Sequence, residues 1–131
     1  NRVFDGIRLS CRKAMDISLG FELAHVGINH NNEDEANATA KELGSLFRMP
    51  VKMGNSSTFA GDAVECMKMN FYGKKGHIGF KTSSSLRALA WLRRQGYEVI
   101  KESIKMKPNG TVLAAYLEKE IGGFAVHIME K

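Results

Sequence analysis

A short stretch of this chain occurs twice, and that repetition restricts the possible folds more than any other feature. It reads His25-Val26-Gly27-Ile28 the first time and, 52 residues later, His77-Ile78-Gly79-Phe80. Each copy is answered downstream by a shorter echo, Ala63-Val64-Glu65 for the first and Ala125-Val126-His127 for the second. Both copies open a β-type run, pass into a helical pattern and end on an apolar strand bearing one metal-capable side chain. Self-similarity at such a period marks a duplicated supersecondary unit. The side chains left at matching points are His25, Glu65, His77 and His127, a donor set for one divalent metal.

A chain of 131 residues, 44% of them hydrophobic, can bury one real core. It opens on Asn1 rather than Met, which points to a processed product or a fragment. No apolar run is long enough to span a bilayer and no signal-peptide pattern is visible, so no membrane partner is expected. Cys11 and Cys66 show neither CxxC spacing nor a disulfide framework, and read as free thiols in a reducing cytoplasm. The net charge of +5 is dispersed among acids, without interleaved aromatics. That is a mildly basic solvated surface, and no nucleic acid is expected as a partner.

Residues 3 to 19 carry Phe4, Ile7, Cys11, Ala14 and Met15 near helical spacing, with Asp5 as a start signal and Gly20 as a stop. The division expected is a linker helix at 1–20 and a domain at 21–131, with module one at 21–72 and module two at 76–131. Module one reads as a strand at 21–29, then a helix opened by Asn31-Asn32 and lined by Ala36, Ala40, Leu43 and Phe47. Strands follow at 51–53, 58–60 and 63–70. Module two reads as a strand at 76–82 and a helix capped by Ser83-Ser84-Ser85 with Leu86, Leu89, Ala90 and Arg93 on one side. Strands follow at 97–106, 111–117 and 124–129, with a hairpin turn at Pro108-Asn109-Gly110. The fold class is therefore α+β, two tandem βαβββ modules with curved mixed sheets behind one helix.

Strand alternation sorts the faces. His25 shares a face with Leu23 and Gly27, Glu65 with Ala63 and Met67, His77 with Gly79, and His127 with Ala125 and Met129. The glycines and alanines leave room over the sheet beside each donor. The opposite faces carry Val26, Ile28, Val64, Ile78, Phe80, Val126 and Ile128, which read as core beneath the helices.

Two βαβββ modules, each with His opening its first strand and a metal-capable residue on its last, resemble the vicinal oxygen chelate superfamily. That superfamily includes glyoxalase I, methylmalonyl-CoA epimerase, extradiol dioxygenases, and bleomycin- and fosfomycin-resistance proteins. Gly76-His77-Ile78-Gly79-Phe80 and Gly123-Phe124-Ala125-Val126-His127-Ile128 are especially similar to the glyoxalase pattern. Carried over position by position, the resemblance implies His25, Glu65, His77 and His127 as metal ligands, with Glu65 and His127 as the groups that move a proton. Glyoxalase-type isomerases usually have Glu where this chain has His127, a different base with a different resting charge. Ala14-Met15 followed by Gly20-Phe21-Glu22-Leu23-Ala24-His25 also resembles the junction in bacterial proteins that join a keto-deoxy-phosphogluconate/4-hydroxy-2-oxoglutarate aldolase to a C-terminal glyoxalase-like domain. Aldolase activity is not expected from this chain alone.

Three imidazoles and a carboxylate suit Zn, Ni, Co, Mn or Fe. A metal so held would polarise a carbonyl and stabilise an enediolate, chemistry that fits an isomerase, epimerase or lyase acting on a small 2-oxo or 2-hydroxy acid. A redox dioxygenase would need two His and one carboxylate, so the fourth donor counts against it. The alternative is a non-catalytic ligand-binding or assembly module attached to the aldolase. A homodimer suits either reading. His30 is assigned to solvent, and Lys68 and Lys81 to exposed strand positions.

Overall fold

The two repeated stretches pair with each other, and the rest of the sheet grows outward from that seam. The computed structural model describes residues 2–131, so Asn1 of the expected 1–20 helix lies outside the described residues. Helix α1 (Arg2–Leu19) is followed by β1 (Glu22–Asn29), α2 (Glu33–Phe47), β2 (Val51–Met53), β3 (Ser57–Ala60) and β4 (Val64–Met67). The order then recurs as β5 (Gly76–Thr82), α3 (Ser85–Arg94), β6 (Lys105–Met106), β7 (Val112–Tyr116) and β8 (Phe124–Glu130). All eight strands form one mixed sheet in the order β2-β3-β4-β1-β5-β8-β7-β6. Each half carries its first strand parallel to its last, β1 to β4 and β5 to β8. The halves meet where β1 runs antiparallel to β5, with Gly27 opposite His77 and His25 opposite Gly79. The α+β class and the repeated βαβββ order stand, and the two expected sheets are continuous through this seam.

Local chemistry explains the helix starts. Asn32 caps α2 by accepting from the Glu35 N–H at 2.9 Å, while the Asn31 N–H donates to the Glu35 carboxylate at 3.2 Å. The acids Glu33, Asp34 and Glu35 then sit where the helix dipole favours negative charge. In α3 the Ser84 hydroxyl accepts from the Arg87 N–H. One core cluster packs Ala36 and Ala40 of α2 onto Ala60 and Cys66 of the sheet, with Leu43, Met49, Val51 and Val64 around it. Small residues on α2 let the helix approach the strands closely.

Several local expectations are corrected. Asp5 lies inside α1, which already runs from Arg2, and Phe4, Ile7, Cys11 and Met15 are exposed. On α2 the inward position is Gly44, where a Cβ would come within 2.7 Å of Val51, and Phe47 is exposed. On α3 the buried residues are Ser85 and Ala88, while Leu86 is 79% exposed. Ser85 can be inward because its hydroxyl donates to the Val112 carbonyl at 2.6 Å and its N–H donates to Glu130. The continuous strand expected at 97–106 is instead an isolated bridge at Val99, a 3-10 turn at Lys101–Ser103 and the two-residue β6. Ser103 explains the break. Its hydroxyl donates to the Ile100 carbonyl and accepts from the Tyr116 N–H, replacing a ladder hydrogen bond. No helix among the described residues is long and apolar enough to cross a membrane.

Candidate metal centre

The four residues at repeat-matched positions meet at one point. β1 brings His25, β4 Glu65, β5 His77 and β8 His127, all on the sheet face turned away from α2 and α3. The Nε2 atoms of His77 and His127 each lie 3.1 Å from Nε2 of His25. Glu65 Oε2 lies 3.0 Å from His77 Nε2 and 3.3 Å from His25 Nε2. All three imidazoles are buried, His77 to 1% exposure.

Glycine makes this convergence possible. A Cβ on Gly27 would fall inside the His77 ring, and one on Gly79 would come within 2.6 Å of His127 and 2.7 Å of His25. Each module thus supplies the vacancy that the other module's histidine fills.

The donors fit a transition metal on their own geometry. With metal–nitrogen bonds near 2.1 Å, adjacent ligand atoms stand about 3.0 Å apart at right angles and about 3.4 Å apart in a tetrahedron. The separations of 3.0 to 3.3 Å fall in that window. Hydrogen bonding alone satisfies the cluster poorly. Nε2 of His25 faces two other ring nitrogens and a carboxylate oxygen, while a neutral imidazole nitrogen offers one proton or one lone pair. His77 Nδ1 is buried without a hydrogen-bond partner among the described residues. The three histidines by themselves form a metal-competent group.

Electrostatics hold the cluster in ligand form. Burial lowers the pKa of His25, and the neighbouring His77 and Lys81 lower it further against the pull of Glu65. Burial, then His25 and His77, depress His127 to about 3, so it is neutral at physiological pH. Burial alone would raise Glu65, but hydrogen bonds from His77 and from the Ser57 hydroxyl at 2.8 Å reverse the sign and keep it ionised.

The cluster forms one wall of a cavity of about 720 Å³, whose lining includes Phe59, Met67, Phe71, Tyr72, Tyr116 and Met129. Tyr116 was not singled out in the sequence. It stacks on His127, and its ring also meets those of Phe71 and Tyr72, which follow β4. Ser57, the anchor of Glu65, lies one residue before the strand expected at 58–60. Its only signal was alternation, two residues from Phe59 on a strand one residue longer than expected. His30 is not given to solvent, since its ring bonds the Met67 carbonyl and the Thr39 hydroxyl. Lys68 is also engaged, bonding the Gly54 carbonyl and Glu33.

No protein-family profile matches the chain, and no curated protein does. Solved structures do. A methylmalonyl-CoA epimerase in complex with methylmalonyl-CoA superposes with a TM-score of 0.59 at 17% identity, covering 87% of this chain and 96% of that one. A hypothetical protein from Bacillus halodurans gives 0.58 at 17% identity, over 85% and 94%. A Streptomyces coelicolor methylmalonyl-CoA epimerase variant in complex with 2-nitronate-propionyl-CoA gives 0.57 at 14% identity, over 84% and 94%. At these identities the likeness establishes the architecture, and the fold is of the vicinal oxygen chelate type.

Proposed function

We propose that this domain is a metal-dependent isomerase or epimerase acting on a small 2-oxo or 2-hydroxy acid. The observation that carries the reading is the convergence of His77, His127 and Glu65 on His25 Nε2, at 3.1, 3.1 and 3.3 Å, on a cavity wall, with Glu65 also 3.0 Å from His77. The solved epimerases of the same fold support the reaction class.

When bound, a divalent metal such as Zn, Ni, Co, Mn or Fe supplies Lewis-acid polarisation of substrate oxygens. The chain supplies the rest. His25 and His127 stay neutral donors because burial disfavours their protonation. Ser57 donates to Oε1 of Glu65, fixing the carboxylate so that Oε2 faces the cavity wall shared with the histidines. Glu65 and His127 are the candidates for proton transfer, Glu65 held ionised by His77 and Ser57 and His127 held neutral by burial. Phe59, Met67 and Tyr116 give the cavity beside the donors an apolar lining.

On the sequence resemblance alone, the module is proposed to work beside a keto-deoxy-phosphogluconate aldolase. Such a partner makes or consumes a 2-oxo acid. The exposed apolar residues of α1, including Phe4, Ile7 and Ile17, support assembly as a homodimer.

Elemental analysis of protein purified without chelator or nickel resin tests the centre, beside His25→Ala/His77→Ala. Near-stoichiometric metal in the parent and none in the variant is expected. Solvent deuterium exchange into 2-oxo and 2-hydroxy acids, followed by NMR, then tests the chemistry, with Glu65→Gln expected to abolish exchange. A parent that takes up none of the five metals overturns the reading.

A further inference from the structure

Two lysines stand on the wall of the same cavity, and the sheet register puts them in a single row. Lys81 of β5 lies opposite Met129 of β8, Met129 opposite Ala114 of β7, and Ala114 opposite Lys105 of β6. Lys81, Lys105, Met129 and Ala114 all line the cavity. The neighbouring row on this face holds Gly79, His127 and Tyr116. Rows on one face of a strand are two residues apart, which is about 7 Å. The lysine row is therefore one row beyond the histidine cluster, across a floor made of Met129 and Ala114.

Neither lysine has an ion-pair partner among the described residues. The acids nearby are largely committed elsewhere. Glu22, opposite Lys81 on β1, pairs with Lys131 at 3.1 Å. Glu130 accepts from Ser85 and faces Lys107. Glu65 is held by Ser57 and the histidines. Glu65, Glu102 and Glu130 line the cavity with the two lysines, and of these carboxylates Glu102 alone has no hydrogen bond or ion pair among the described residues. Both lysines are exposed on the strand face, as expected for Lys81, and they border the half-buried Met129 and Ala114 on the cavity wall, an arrangement that suits an anion held at one end of a short carbon chain.

We infer that the cavity selects a small dianion, a 2-oxo or 2-hydroxy dicarboxylic acid of about four to six carbons. Its carboxylate and adjacent oxygen face the His25/Glu65/His77/His127 cluster, and its distal carboxylate rests on Lys81 and Lys105. This rests on the proposed function and adds what that reading leaves open, namely the charge at the far end of the substrate. A monoacid would leave both cations unpaired. A bulky uncharged tail would replace their solvation with nothing.

Calorimetric titration of zinc-loaded protein with 2-oxopentanedioate and with 2-oxopentanoate separates the cases, since the two acids share the metal-facing end and differ only at the distal carboxylate. The parent is expected to bind the dicarboxylate about tenfold more tightly, and Lys81→Gln/Lys105→Gln to lose that preference while taking up zinc normally. The preference should also shrink as ionic strength rises, because exposed ammonium groups are screened over about 8 Å at physiological salt. Normal zinc uptake with equal affinity for the two acids, with no binding of either, or with a preference that survives the double variant overturns this inference alone. Failure of the parent to take up zinc or any other divalent metal, read by elemental analysis, overturns the proposed function and this inference together.

Discussion

Tyr116 lies face to face on His127, with ring centroids 4.5 Å apart and planes 10° from parallel. The two residues are cross-strand partners, so the sheet register itself sets the stack. The tyrosine covers one face of the imidazole and leaves its edge free toward His25, 3.1 Å away. Burial first, with Glu65 and Tyr72 adding to it, pushes the Tyr116 hydroxyl well above its ordinary value, so the ring stays uncharged. Its role at His127 is therefore orientation through the ring rather than charge.

Tyr116→Ala is accordingly expected to weaken zinc binding about 10- to 100-fold, the range typical of groups that orient ligands from outside. Tyr116→Phe keeps the ring and should stay within about threefold of the parent. Competition against a chromophoric chelator measures both. Equal losses in the two variants would assign the effect to the hydroxyl and sink the stacking argument.

The glycines opposite the histidines make a sharper steric demand. A side chain on Gly27 has nowhere to go except into the His77 ring, because Gly27 lies opposite His77 across the seam. Gly27→Ala should therefore expel His77 from the cluster, abolish stoichiometric metal uptake and cost about 1–3 kcal/mol through overpacking. Gly79→Ala meets His127 and His25 at 2.6 and 2.7 Å, so it should weaken metal binding without displacing His77. Elemental analysis and urea unfolding on both variants check the ordering, which fails if Gly79→Ala proves the more damaging at the metal.

These steric relationships also show what could be read from the sequence. Alternation along a strand is fixed by backbone geometry, so placing His25 beside Gly27 and His77 beside Gly79 on one face needed no knowledge of the fold. The antiparallel seam that puts each glycine under the other module's histidine is a long-range pairing, and only its symmetry was visible in the repeat. Hydrophobic pattern misassigned α3, where Leu86 is exposed and Ser85 is buried, because a hydroxyl with good partners can occupy an inward position. The break after Val99 was hidden for a similar reason. Ser103 trades a ladder bond for side-chain bonds, and apolar periodicity does not register that exchange. Tyr116 was missed because its importance comes from being opposite His127, a register that Thr111–Leu117 alone does not specify.

Acid should unfold the metal-free protein through these same buried groups. His25 and His127 have folded pKa values below their ordinary 6.5, His127 at about 3. Below pH 6.5 the unfolded chain takes up protons that the folded cluster refuses, so stability is fully present above that pH and falls as the solution is acidified. Glu65, also depressed, acts with the same sign lower down, stabilising above about 4.5 and losing its contribution as pH falls through its folded value. The slope attributable to His127 alone approaches about 1.4 kcal/mol per pH unit between roughly 6 and 4. Urea unfolding in the presence of chelator, from pH 7.5 downward, gives the parent slope. His127→Gln removes one titrating group, so its slope should be shallower by up to that amount whatever its absolute stability. Saturating zinc should steepen the parent's acid dependence, since protons and metal compete for the same ring nitrogens. Parallel slopes for parent and His127→Gln would mean that the imidazole on β8 is protonated as readily folded as unfolded, and the buried cluster would not be the acid-sensitive element of the fold.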